Sequence, residues 1–232
     1  MRAVTTPPDP TNGGPGTWTS AHRISDAPWD SRAVRDDDEF SGLDLSDMVA
    51  NGQFWTGRRF IGVSFVDADL TGLRTENCTF DECDFSGADL SESVHRNGAM
   101  RSCTFRRATL TRIELHGCSL LGSTLLDCRM RPITLVDCDL TLVGLGGADL
   151  RGTDLSGLRM RESNLVEADL RTCDLRGADL AGARLRNARL EDADLRGARL
   201  DPDALVQARL AGAAVDAETA LAFAAAHGLR IS

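Results

Sequence analysis

Residues 165–200 read LVEADLRTCDLRGADLAGARLRNARLEDADLRGARL, with a leucine at every number divisible by five. Followed outward, the same phase runs from Phe40 to Val215, where thirty-six such positions hold twenty-two leucines, six phenylalanines and three methionines. A period of five is neither the 3.6 of a helix nor the 2.0 of an ordinary strand, so the repeat has to be read before any local element. The residue two places before each of these centres is usually small, as at Ala68, Cys78, Ala88, Cys103, Ala148 and Ala178, while the other three are mostly Asp, Arg, Gly, Ser, Thr and Asn. Centre and small residue therefore face inward and the rest meet water. This predicts a narrow coil that turns after each unit. Four sides of roughly 16 Å close a coil of about twenty residues, and neighbouring coils lie about 4.8 Å apart.

The units SGADL (Ser86–Leu90), GGADL (Gly146–Leu150), RGADL (Arg176–Leu180) and EDADL (Glu191–Leu195) resemble the A(D/N)Lxx pattern of the pentapeptide-repeat family. That resemblance implies an all-β solenoid, a right-handed quadrilateral β-helix, here followed by a short C-terminal α-helix. The expected organisation is a flexible tail at 1–38, the repeat at 39–215, and a capping and dimerisation segment at 216–232. Each coil touches only its neighbours, so stability is spread along the axis. Phenylalanine centres cluster at 60, 65, 80, 85 and 105 and leucine takes over later, which suggests a wider interior near the amino end.

All seven cysteines occupy the small inward slot, which reads them as small hydrophobes rather than as a disulfide framework or a zinc set. A reduced, cytoplasmic protein is expected. No run approaches a membrane span, so no membrane association is expected. All twenty-six basic residues are arginine. The absence of lysine excludes a phosphate-binding loop and Schiff-base chemistry. The four histidines are scattered, His95 alone at a centre, where it reads as an accommodated polar residue. No nucleophile and base recur together and a filled coil offers no cleft, so the protein is read as no enzyme, with no catalytic residue, metal or cofactor.

Residues 1–38 are rich in Pro and Gly; Trp18 and Trp29 are candidates to fold over the open first coil. At the other end, from Asp216, the period changes to DAETALAFAAAHG. Asp216 suits a helix N-cap and Gly228 a left-handed exit, giving a helix of about eleven residues. Leu229 and Ile231 are expected to continue it as a short apolar strand. Because a solenoid end must be covered, this helix caps the coil, and its apolar surface is expected to join a twofold homodimer through Leu221, Phe223, Ala224, Ala225, Leu229 and Ile231.

The stretches FDECDFSG from Phe80, RPITL from Arg131, EDADLRGA from Glu191 and AFAAAHGL from Ala222 are similar to the MfpA/Qnr branch of the family. That resemblance implies a dimeric rod with the size and charge of duplex DNA, which occupies the DNA-binding surface of DNA gyrase, inhibits supercoiling and alters fluoroquinolone susceptibility. The uninterrupted phase leaves no room for the long projecting loops of many Qnr proteins, which favours inhibition over drug protection. The alternative is a solenoid scaffold for another protein, such as a small GTPase. A net charge of −9 argues against direct nucleic-acid binding. Stacking the residue before each centre at twenty per coil gives one column with Glu114, Thr134, Asp154, Asp174 and Asp194, beside which lie Arg176 and Arg196, and a second with Asp149 and Asp169 and, farther down, Asp69 and Asp89, which Arg129 and Arg189 interrupt. Glu114, Asp149, Asp154, Asp169, Asp174 and Asp194 are the candidate gyrase-binding residues. Pro132 is expected to disturb its coil and to shift the columns above it.

Overall fold

The computed structural model describes residues 39–230; the tail at 1–38, the cap by Trp18 and Trp29, and Ile231 lie outside the described residues. A register of twenty organises everything else. Phe40 pairs with Phe60, Phe60 with Phe80 and Phe80 with Met100, all parallel. On a second sheet Trp55 pairs with Thr75, Thr75 with His95, His95 with Leu115 and Leu115 with Leu135. Single parallel bridges at the same spacing, such as Ser64 to Asp84 and Asp69 to Asp89, form the two remaining sides. The molecule is a parallel β-solenoid of four sides, named here by their first centres: Phe40 for the first, Leu45 the second, Ala50 the third and Trp55 the fourth. Thirty-six centres at four per coil make nine coils.

The turn between sides explains why five residues suffice. The residue two places after a centre adopts positive φ around the rod, as at Gly87 (72°), Asp67 (56°) and Asn97 (51°). This left-handed corner is open to glycine and tolerated by Asn and Asp, whose short polar side chains bond locally. Leu142 also takes it, at φ 61°, with its side chain 53% exposed.

Buried centres and small residues form one continuous core from Leu45 to Leu205. Near the amino end the core is an aromatic ladder: Phe40, Phe60 and Phe80 stack along one side and Phe65, Phe85 and Phe105 along the next, the inner steps at 4.9 Å between ring centres. Trp55 fills the middle beside them. Every cysteine is a free thiol; six are buried and Cys128 is half-buried. The thiols point to backbone carbonyls of the coil before, as Cys103 Sγ to Phe80 O at 3.3 Å and Cys138 Sγ to Leu115 O at 3.3 Å. Burial pushes Cys128, Cys138 and Cys173 up to about 11.

His95 is fully enclosed and satisfied without a charge. Ser93 gives its hydroxyl proton to Leu90 O at 2.7 Å and so accepts from His95 Nε2 at 3.0 Å; Nδ1 then accepts from Thr75 Oγ1 at 2.8 Å. Loss of solvent lowers its pKa to about 3.

Three expectations need correction. Pro132, which follows a cis peptide bond, disturbs the ladder without resetting the register: among the described residues no bridge joins Arg129 to Asp149 or Thr134 to Asp154 on the third and fourth sides, whereas Ser119 still pairs with Asp139 on the first side and Thr124 with Gly144 on the second. The local change is that Arg112 N donates to Pro132 O, twenty residues on, where neighbouring corners reach nineteen, as Glu92 N to Thr111 O. Second, a helical turn, α1 (Pro202–Val206), replaces the last second-side strand. Proline lacks the N–H a ladder needs and suits a first helical turn, and Leu205 keeps the centre buried, so the phase survives. Third, Leu229 belongs to no strand.

The terminal helix α2 (Ala217–Ala226) lies where expected and exits through Gly228 at φ 84°. Asp216 stands at the N-cap, but its carboxylate turns away from the helix and accepts from Gly197 N of the coil below. α2 packs against α1, with Phe223 partly buried on the core and Leu221 52% exposed. No described helix is long and apolar enough to cross a membrane.

Candidate functional site

The candidate carboxylates stand in two adjacent columns because each sits immediately before a centre, where a strand of three residues points its side chain outward. Asp154, Asp174 and Asp194 are bridged in succession on the fourth side; Glu114 lies lower in that column beside Thr134. Asp149 and Asp169 are bridged on the third side, as are Asp69 and Asp89 nearer the amino end.

Arginine changes what these columns present. Asp174 pairs with Arg176 at 2.5 Å and Asp194 with Arg196 at 2.5 Å, and Arg176 reaches on to Asp194 at 3.8 Å. On the third side Asp149 meets Arg151 at 2.6 Å and Asp169 meets Arg171 at 2.7 Å. The cause is local geometry: positions before and after one centre point to the same face of a strand. The same aspartates accept from the backbone two residues on, as Asp194 Oδ1 from Arg196 N at 3.1 Å. The hydrogen bond from Arg196 holds Asp194 at about 2, and that from Arg151 holds Asp149 at about 2. Arg171 and Arg176 lower Asp169 and Asp174 in the same way. Four of the six candidates are therefore half of an ion pair. Asp154, whose Oδ1 accepts from Ser156 N at 2.9 Å, has no arginine partner among the described residues, and Glu114 faces His116 at 3.2 Å.

The unpaired acid lies elsewhere. Residues 39–98 carry eleven acids against four arginines, whereas residues 159–215 carry ten of each. Among the described residues Asp44, Asp47, Asp67, Asp69, Asp84 and Asp89 have no ion-pair partner, and all six belong to the second and third sides of the first three coils. The sequence columns passed over the corner residues Asp47 and Asp67, whose signal was available: acid in coils without arginine on those sides. Of the expected dimer residues, Leu221 and Leu229 are exposed, Phe223 is partly buried, and Ala224 and Ala225 lie on α2 between them.

A slender filled coil with ordered charged columns and no described cluster able to hold a metal ion defines a class: a pentapeptide-repeat β-helix. The family model for pentapeptide repeats matches eight copies at residues 59–94, 135–177 and 163–201. The pentapeptide repeat protein MfpA of Mycobacterium tuberculosis (strain ATCC 25618 / H37Rv) is 56% identical over 85 residues, 37% of this chain and 46% of that protein. The MfpA of Mycolicibacterium smegmatis (strain ATCC 700084 / mc(2)155) is 55% identical over 63 residues, 26% of this chain and 33% of that protein. Both alignments span less than half the length of the relative. Full-length QnrB1, a plasmid-mediated fluoroquinolone resistance protein, shares the fold with a TM-score of 0.68 at 19% identity, over 83% of this chain and 100% of that one. The chain is a pentapeptide-repeat β-helix, similar over part of its length to MfpA and sharing its fold with QnrB1.

Proposed function

We propose that the protein binds DNA gyrase as a mimic of duplex DNA, inhibits DNA binding and supercoiling, and thereby modulates fluoroquinolone susceptibility. The observation that carries this reading is a rod with carboxylates repeating once per coil, about 4.8 Å apart, and a strong acid excess toward one end. A groove built for phosphates presents a positive field, and an acidic rod of similar width is attracted into it over a distance set by salt. Glu114, Asp149, Asp154, Asp169, Asp174 and Asp194 form the proposed contact columns. Asp154 and Glu114 give them their unneutralised charge, and the first three coils supply most of the steering field. The terminal helices join two such rods into a twofold dimer through Leu221 and its neighbours, in the cytoplasm.

The test is a supercoiling assay with purified gyrase. Inhibition at low salt that fades as salt rises is expected, and changing Asp154, Asp174 and Asp194 together to Ala should weaken it while the circular dichroism spectrum stays that of the parent. Indifference of gyrase to molar excess contradicts the reading and favours a scaffold for another protein, such as a small GTPase.

A further inference from the structure

We infer that the second side of the rod is a docking face for a second copy of this chain, laid antiparallel against the first about a twofold axis between the fifth and sixth coils. Uncharged residues occupy the middle of that side: Thr124 and Leu126 on the fifth coil, and Gly144 and Gly146 on the sixth, all at least partly exposed. A twofold axis across the rod keeps each column over its own copy and inverts the coil order, so the fifth coil faces the sixth, the fourth the seventh and the third the eighth. Thr124 and Leu126 then lie over glycines, which lets the two sheets approach.

Charge fixes the register. In this arrangement Asp84 faces Arg184 of the other copy and Arg107 faces Glu167, each pair occurring twice by symmetry. None of these four residues has an ion-pair partner among the described residues of its own chain. Sliding by one coil destroys this pairing: one direction sets Asp127 against its own copy, the other sets Asp127 against Glu167. Like charges brought together in this way are how a surface rejects wrong registers. The same operation fails on the other sides. It sets Arg59 against Arg199 on the first, Arg131 against Arg151 on the third and Glu114 against Asp174 on the fourth.

α1 bounds the face, leaving a contact of roughly 16 Å by about 29 Å per copy, or on the order of 900 Å² in total, the size of a weak and reversible association. The fourth side stays open on both copies and the terminal helices take no part, but the contact covers Asp84 at the edge of the acidic first coils; its test uses no gyrase, so its failure is separable from a failure of the gyrase reading.

Sedimentation velocity of the full chain across a concentration series, at about 25 mM and about 500 mM salt, tests it, since a contact dominated by exposed charge pairs is screened at the higher value. Low-salt dimerisation is expected, weakened at high salt. Arg107→Glu and Glu167→Arg, both exposed corner changes, should each weaken it roughly tenfold by setting like charges together, and the double variant should restore it. The series is repeated with Leu221→Asp in every chain to remove association through the helices. A monomer throughout at low salt overturns the proposal. So does a dimer indifferent to both single changes, or a double variant as weak as the singles.

Discussion

Apart from the helical turn α1 in the last coil, the first three coils and the last three share one backbone geometry and differ in nearly everything attached to it. Coils near the amino end are filled by stacked phenylalanines and Trp55, and their outer surface has seven more acids than arginines between residues 39 and 98. Toward the carboxyl end leucine fills the interior, and aspartate and arginine balance between residues 159 and 215. Because a solenoid is stabilised coil by coil, interior and surface vary independently along it. One end has a field that reaches into solution, and the other has its charge spent in local pairs that are worth at most about 1 kcal/mol each when exposed.

The largest effects come from the interiors. Phe85 stacks on Phe65 and Phe105 at 4.9 Å, so Phe85→Ala should cost about 3 to 5 kcal/mol, and Leu170→Ala about 2 to 5 kcal/mol. Denaturant melts followed separately near each end sharpen the contrast: each change should loosen its own end first. Equal loosening at both ends would mean that the rod melts as one unit.

Acid should then distinguish the ends. His95 is neutral in the fold, with a pKa lowered to about 3 from its ordinary 6.5, and is fully buried. The unfolded chain therefore binds the extra proton, so this contribution is intact above about pH 6.5 and shrinks as pH falls toward 3. Its full span is on the order of 5 kcal/mol. Stability measured between pH 7 and 4 should fall in the parent and fall less steeply in His95→Leu, although that variant starts lower because Thr75 and Ser93 lose a partner. Parallel slopes would remove His95 from the account.

The smallest expected difference concerns the surface. Neutralising Asp47 and Asp67 as Asp47→Asn and Asp67→Asn should reduce gyrase inhibition roughly tenfold at low salt, since unpaired charge steers association. That loss should exceed the one from Asp154, Asp174 and Asp194, two of which are already paired with arginine. The reverse order would place the recognition surface on the fourth side alone.

How far these contrasts were legible in the sequence follows from which forces act through the repeat and which do not. The leucines at multiples of five define an axial spine because only an inward side chain at each turn satisfies that spacing, and the columns follow from twenty residues per coil. α1 was hidden because Leu205 holds the centre position whether its neighbours form a strand or a helical turn. Arginine pairing was half visible: the columns showed Arg176 and Arg196 beside Asp174 and Asp194, but reach and rotamer decide that each arginine folds back on its own aspartate. Asp216 reads equally well as a helix cap and as an acceptor for Gly197, and the coil below won.

Displacement of a labelled DNA duplex from gyrase tests the central claim most directly. With gyrase and duplex held at constant concentration and the protein titrated in, the account predicts stoichiometric release of the duplex at low salt and progressively weaker release as salt increases. A duplex that stays bound while the protein binds alongside it would contradict the account.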